Sequence, residues 1–279
     1  MIPAAFEYAA PKNVNEALAM LRQHPDAKVM AGGQSLLSLM KLRAASPPMV
    51  VDLGRIRDLS YIREEKDHIA IGALTTHTDI ERSSVVQKRL KALAESAEQI
   101  GDLQVRNRGT IGGSLAHADP AADYPAAFLA LEGTIVAQGA GGTRTIAADQ
   151  FFTGLFSTAL KANEILTEVR FPTSPTINGS AYRKMKHPAS GFAVIGAAAV
   201  VRVGGQLRLA FTGAAAHAFR AKMIETALSG KKLDEATVRA AMEQAPQGVD
   251  LLEDLFADKL YRAQLIKVYG RRAVLAAAQ

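Results

Sequence analysis

Apolar residues recur along this chain with two periods, and each change from one to the other marks an element. Val14, Leu18 and Leu21 share one face of a helix that ends near Gln23. Asn13-Val14-Asn15-Glu16 has the spacing of a capping box and opens it. Before it, residues 5–8 read as an edge strand between Pro3 and Pro11; after it come a short strand at 28–30, a brief helix at 35–42 and a strand at Met49-Val50-Val51. Asp52 ends that strand and starts a turn at Leu53-Gly54. Alternation at 59–64 and 68–71 predicts a hairpin, and a helical stretch follows at 77–82. Leu90, Leu93, Ala97 and Ile100 predict one helix over 86–100, stopped by Gly101, after which the chain runs extended into Arg106-Asn107. A helix from about residue 121 ends at Gly133. Strands at 134–138 and 143–147 flank Gly139-Ala140-Gly141-Gly142, which reads as a hairpin loop, and 164–172 is a further strand.

Residues 172–179, with Pro172 and Pro175, have the composition of a linker. Beyond them the pattern predicts strands at 180–186, 191–203 and 207–214, the last two joined by a tight two-residue turn at Gly204-Gly205. Helices at 220–228, 234–245 and 258–277 complete the chain. The order predicts an α+β protein. Its first domain, 1–175, divides into subdomains of about 1–55 and 56–175, and its second, 176–279, is a small antiparallel sheet backed by helices.

Composition narrows the chemistry. With 279 residues, 48% of them hydrophobic and 22% charged, the chain has the make-up of a globular protein. It has no Cys, so it houses neither disulfides, thiolate nucleophiles nor Cys-ligated clusters; any iron–sulfur centre must belong to another subunit. The net charge of +6 is scattered and not interleaved with aromatics, which argues against nucleic acid and for an acidic partner surface. No apolar run approaches the roughly 18 residues a membrane span needs. The first residues lack signal-peptide character, so a cytoplasmic location is expected.

Two glycine-rich stretches stand out. Met30-Ala31-Gly32-Gly33-Gln34-Ser35-Leu36-Leu37 follows a strand and opens a helix. Asn107-Arg108-Gly109-Thr110-Ile111-Gly112-Gly113-Ser114 precedes His117, Asp119-Pro120 and Asp123-Tyr124-Pro125. Glycines at such turns allow positive φ and bring N–H groups close to a ligand, so each stretch can cradle an anion. Two such turns suit a ligand with two phosphates. Neither matches GxGxxG, and Asp52 is better read as a strand end. Ser35 and Ser114 lack the G-x-S-x-G setting of a nucleophile and read as phosphate donors. No pair of the six histidines has the i, i+4 helical spacing of a metal site; His117 alone falls in a glycine motif.

The pair AGGQS at 31–35 and TIGGS at 110–114, with RN at 106–107 and AHADPAAD at 116–123, resembles the FAD-binding medium subunit of the molybdenum hydroxylases, a family that includes bacterial carbon monoxide dehydrogenase and the FAD domain of xanthine dehydrogenase. The resemblance implies FAD, held in a domain of the vanillyl-alcohol-oxidase type with two subdomains, and a small C-terminal domain. It implies that Met30 to Leu37 and Thr110 to Ser114 wrap the pyrophosphate and ribityl chain, with Asp123 hydrogen-bonded to the cofactor. Ile100 and Leu166 would be apolar contacts, Lys184 with Arg183 beside it would approach the flavin, and Phe192 either sits by the isoalloxazine ring or is a core residue of its strand. It further implies an oxidoreductase complex with an iron–sulfur small subunit and a molybdopterin large subunit, as a doubled heterotrimer, in which this flavin delivers electrons to an acceptor. Two alternatives stay open: a free-standing flavoenzyme of the same fold, for which His117 is the only candidate base, and a non-catalytic nucleotide-binding module.

Overall fold

The structure, a computed structural model, describes residues 2–173 and 176–279. The linker expected around Pro175 therefore falls partly outside the described residues. The first sheet is parallel and three-stranded, in the order Glu7–Ala9, Met49–Asp52, Lys28–Met30. Its central strand is buried on both faces, as a parallel strand covered by helices requires. Val51 and Met49 meet Ala17, Leu18 and Leu21 of the helix Val14–Gln23, while Val50 meets Met30 and Met40, the latter on the helix Leu36–Lys41. The predicted cap is present: Asn13 Oδ1 accepts from the Glu16 N–H at 2.9 Å.

The second sheet is five-stranded, in the order Ile62–Glu64, His68–Gly72, Ile165–Pro172, Thr134–Gly139, Gly142–Ala147. Both predicted hairpins form within it. A bulge between Leu166 and Glu168 interrupts the pairing of Ile165–Pro172 with Thr134–Gly139. Phe128 packs edge-on against Phe151, Phe152 and Phe171 in the core beside this sheet.

The third sheet is antiparallel and four-stranded, in the order Ile177–Lys186, Ala193–Arg202, Leu207–Thr212, Phe219–Arg220. Every residue of Ala193–Arg202 is buried because both its faces are covered. Ala198 and Val200 join the core that holds the helix Tyr124–Ala130, whereas Ala197 and Ala199 join the core under the helix Lys259–Ala277. Small side chains allow that close double packing. From the long helix, Arg262 reaches inward to the carbonyls of Val194, at 2.8 Å, and Gly213, and its other amino group pairs with Asp254 at 2.6 Å.

Four details differ from the sequence pattern. The helix expected over 86–100 is two, Ser84–Arg89 and Lys91–Glu98, because buried Leu90 leaves the helical region (φ −134°, ψ 48°) and Ser180 caps the second piece, its Oγ accepting from Ala92 N–H at 3.0 Å. The expected extended run is a short helix, Leu103–Arg106, capped by Asp102. The helix expected from about 121 starts at Tyr124, and Ile111–His117 is a helix that the glycines concealed. The hairpin at Gly204 and Gly205 has a three-residue loop, since Arg202 pairs with Gln206.

Removing Arg262 takes a donor from the carbonyls of Val194 and Gly213 and frees the loop around Asp254. Arg262→Met is expected to lower stability by about 3 kcal/mol. Denaturant unfolding measures this, and a loss below about 0.5 kcal/mol refutes the structural role given to Arg262.

Candidate functional site

The two glycine stretches meet back to back. A Cβ on Gly32 would lie 2.0 Å from the Arg108 carbonyl oxygen, so only glycine lets the first turn lie on the segment leading into the second. Gly33 has φ of +76°, the left-handed conformation expected of a glycine turn. Gly109, Gly112 and Gly113 do not: their φ values are ordinary, and the positive-φ expectation is corrected for all three. They serve close approach instead, Gly112 against the backbone of Ala73 and Gly109 against the His77 ring.

The motifs also differ in where their amides go. Thr110 caps the helix Ile111–His117, its Oγ1 accepting from Gly113 N–H at 3.1 Å. Ile111 N–H donates to Thr75 O at 3.1 Å and Gly112 N–H to Ala73 O at 2.9 Å. The amides of Ile111, Gly112 and Gly113 are thus spent on the fold. In the first motif the N–H groups of Gly33, Gln34 and Ser35 meet no acceptor among the described residues. Amides freed in this way suit an anion.

Both motifs line one cavity of about 860 Å³, within the range of small-molecule sites. Met30, Ala31, Gly32, Gly33, Gln34, Ser35 and Leu36 form one wall; Thr110, Gly112, Gly113, Ser114, His117 and Asp123 form another. Ile100, Leu166 and Phe192 supply apolar surface. Five residues expected at the ligand lie off the wall. Leu37 turns its side chain over Gly33 outside the cavity, Asn107 Oδ1 accepts from Thr78 Oγ1 at 2.7 Å, and Ile111 is buried in the core. Arg183 and Lys184 are neighbours on one strand, so they point to opposite faces. Arg183 pairs with Glu95 at 2.9 Å, away from the cavity, and Lys184 stands behind Asp123.

Asp123 is the most constrained group on the wall. Its carboxylate accepts from Tyr182 Oη at 2.6 Å and from Lys184 Nζ at 2.8 Å, and Lys184 also donates to Gln99 O at 3.1 Å. Gly196 makes room for the tyrosine, because a Cβ there would sit 2.2 Å from its hydroxyl. Burial pushes the Asp123 carboxyl up to about 6 against the opposing pull of Lys184, whose own pKa burial lowers. Desolvation outweighs attraction for both partners. His77, beside Tyr124 Oη at 3.1 Å, is driven down to about 3, first by burial and then by Arg106, so it is neutral at pH 7.

Several wall residues carry no sequence signal. Ala73, Leu74 and His77 enter because the second motif docks on their segment. Ile165 joins Leu166 on the wall next to the bulge. Phe156, at φ +50° in the tip between the strands Phe152–Gly154 and Ser157–Thr158, places its ring 5.3 Å from that of His117. Ser190 and Gly191 come from the hairpin turn before Phe192.

The chain matches the model of the FAD binding domain in molybdopterin dehydrogenase over residues 4–174 and that of the CO dehydrogenase flavoprotein C-terminal domain over residues 180–277. It therefore belongs to the FAD-binding subunits of the molybdopterin dehydrogenases, which are oxidoreductases. Among its relatives is the carbon monoxide dehydrogenase medium chain of Hydrogenophaga pseudoflava, 43% identical over 99% of this chain and 98% of that one. The nicotine 6-hydroxylase medium subunit of Paenarthrobacter nicotinovorans is 35% identical over 98% and 97%. A solved structure of carbon monoxide dehydrogenase from Hydrogenophaga pseudoflava superposes with a TM-score of 0.94 at 45% identity, covering 99% of this chain and 98% of its counterpart. The cofactor of this family is FAD, and no helix among the described residues is long and apolar enough to cross a membrane.

Two expectations follow. Gly32→Ala must part the motifs, so it is expected to cost about 2 kcal/mol or more of stability and to weaken FAD binding; calorimetry measures both, and wild-type values for both contradict the apposition. Asp123 is expected to titrate near pH 6 in carboxyl-carbon NMR, with the signal absent from Asp123→Asn. The raised pKa also sets a sign. Below the unfolded value of 3.8 the carboxyl is protonated in both states; as pH rises to about 6 the unfolded chain ionises first, and the fold loses up to about 3 kcal/mol. An Asp123 resonance titrating near 4 rules this out.

Proposed function

We propose that the cavity holds FAD and that this chain is the electron-transferring flavoprotein subunit of a molybdenum hydroxylase complex in the cytoplasm. Its partners in that reading are an iron–sulfur small subunit and a molybdopterin large subunit, in a doubled heterotrimer. One observation carries the proposal: both glycine motifs line a single cavity, and the first presents the free amides of Gly33, Gln34 and Ser35 there.

The residues fit the cofactor. The three amides hold the pyrophosphate, with the Ser35, Thr110 and Ser114 hydroxyls as further donors. Ile100, Leu166 and Phe192 flank the flavin rings and exclude water, while Asp123, fixed by Tyr182 and Lys184, accepts a hydrogen bond from the cofactor. Residues 1–175 form the FAD-binding part and 176–279 the part that supplies Tyr182, Lys184 and Phe192. When bound, the flavin supplies the redox chemistry, taking electrons from the iron–sulfur subunit and giving them to an external acceptor. The chain's task is binding and access. Relatives named for such different substrates as carbon monoxide and nicotine match this chain along almost all of its length, which supports a substrate site on another subunit.

The test is a complex stripped of FAD. Substrate should still reduce the iron–sulfur clusters, transfer to the external acceptor should vanish, and added FAD should restore it. Purified chain should bind one FAD and turn yellow. A colourless chain that ignores FAD favours a nucleotide-binding module. An isolated chain that turns over a substrate of its own favours a free-standing flavoenzyme.

A further inference from the structure

Between the strands Ile177–Lys186 and Ala193–Arg202 the chain reverses in a turn whose tip, Ser190 to Phe192, reaches the cavity wall. His187 organises that turn. Its N–H donates to Phe192 O at 2.8 Å, its carbonyl accepts from Gly191 N–H at 2.9 Å, and its Nδ1 accepts from Ser190 N–H at 3.1 Å. Ser190 Oγ, also 3.1 Å from Nδ1, accepts from Phe192 N–H at 3.3 Å. The imidazole is in turn held from outside, where Phe256 meets it edge-on with ring centroids 4.2 Å apart.

Phe256 is 60% exposed, yet it is not loose. Asp254 Oδ1 accepts from Phe256 N–H at 2.9 Å and from Ala257 N–H at 3.0 Å, and Asp254 Oδ2 accepts from Arg262. Arg262 donates to the carbonyl of Val194, two residues beyond Phe192. The contacts close a ring: Phe192, Ser190, His187, Phe256, Asp254, Arg262 and back along the strand. Phe192 meanwhile keeps 46% of its surface exposed on the cavity side of that ring. A half-exposed aromatic ring on a backbone anchored from behind is arranged to meet a planar partner.

We propose that His187, braced by Phe256, is a positioning residue that fixes Phe192 as the aromatic wall against the flavin rings. The inference rests on the reading that the cavity holds FAD. The full chain is titrated with FAD, following the dissociation constant and the visible circular dichroism of the bound flavin. Phe192→Ala should weaken binding about three- to tenfold and change the dichroism. His187→Ala and Phe256→Ala should do the same, and the double change His187→Ala with Phe192→Ala should add little to Phe192→Ala alone. His187→Asn, whose side-chain oxygen can accept from Ser190 N–H, should recover most of the affinity.

Unchanged binding and dichroism in His187→Ala, beside a clear effect of Phe192→Ala, overturns the inference. So does a silent Phe192→Ala, or an additive double variant. Where His187→Ala melts early, Phe256→Ala and His187→Asn decide. A wild-type chain that takes up no FAD defeats the reading of the cavity itself, and this inference with it, before any substitution is made.

Discussion

Gly32 lies against the Arg108 carbonyl with no room for a single carbon, and the cavity depends on that contact. The motifs are far apart in sequence and sit on different supports, one on the parallel sheet and the other on a helix docked through Ala73 and Thr75. Backbone against backbone gives a rigid seam, because main chain cannot rotate away as a side chain can. The seam divides the labour between the motifs. The second commits the amides of Ile111, Gly112 and Gly113 to the fold and becomes the fixed wall; the first is held against that wall with the amides of Gly33, Gln34 and Ser35 left over. A binding site for an anion arises where the fold stops consuming its own donors.

Much of this was legible in the sequence, for identifiable reasons. Period and capping located the helices at Val14, His77 and Lys259, and alternation located both hairpins of the second sheet, because in those places the local pattern and the tertiary packing agree. Leu90 shows the opposite case. Its apolar spacing continues a helix, yet burial of that one side chain and a cap from Ser180, distant in sequence, break the helix in two. At Ile111–His117 two adjacent glycines read locally as a turn, and acceptors on another segment together with the Thr110 cap make them helical. For the site, the glycine motifs were legible as two stretches that meet at one cavity, but their asymmetry was not, since amide partners are tertiary facts. Arg183 and Lys184 are adjacent in sequence, but strand alternation sends them to opposite faces.

The third sheet is bound to the cavity by buried polar chemistry as well as by packing. Asp123 belongs to the segment after the second motif, while Tyr182 and Lys184 come from the strand Ile177–Lys186. A carboxylate buried this deeply is expensive, and its raised pKa is the mark of that expense. The same group is costly to leave alone, so any movement of the third sheet away from the cavity would strand a half-paired charge. The network is therefore better understood as a lock on relative position than as a source of stability.

That lock bears on the proposed function, because the relatives of this chain are named for unlike substrates. Under the proposed function, a bound cofactor must be held in a fixed orientation, and the walls described here are built to hold one. The amides of Gly33 to Ser35 fix one end of the cavity, the Asp123 network fixes the side where the third sheet meets it, and the turn of His187 to Phe192 borders it as well. The chain matches the medium subunits of carbon monoxide dehydrogenase and nicotine 6-hydroxylase along almost its whole length, as the proposed division between a cofactor-binding subunit and a separate substrate site requires.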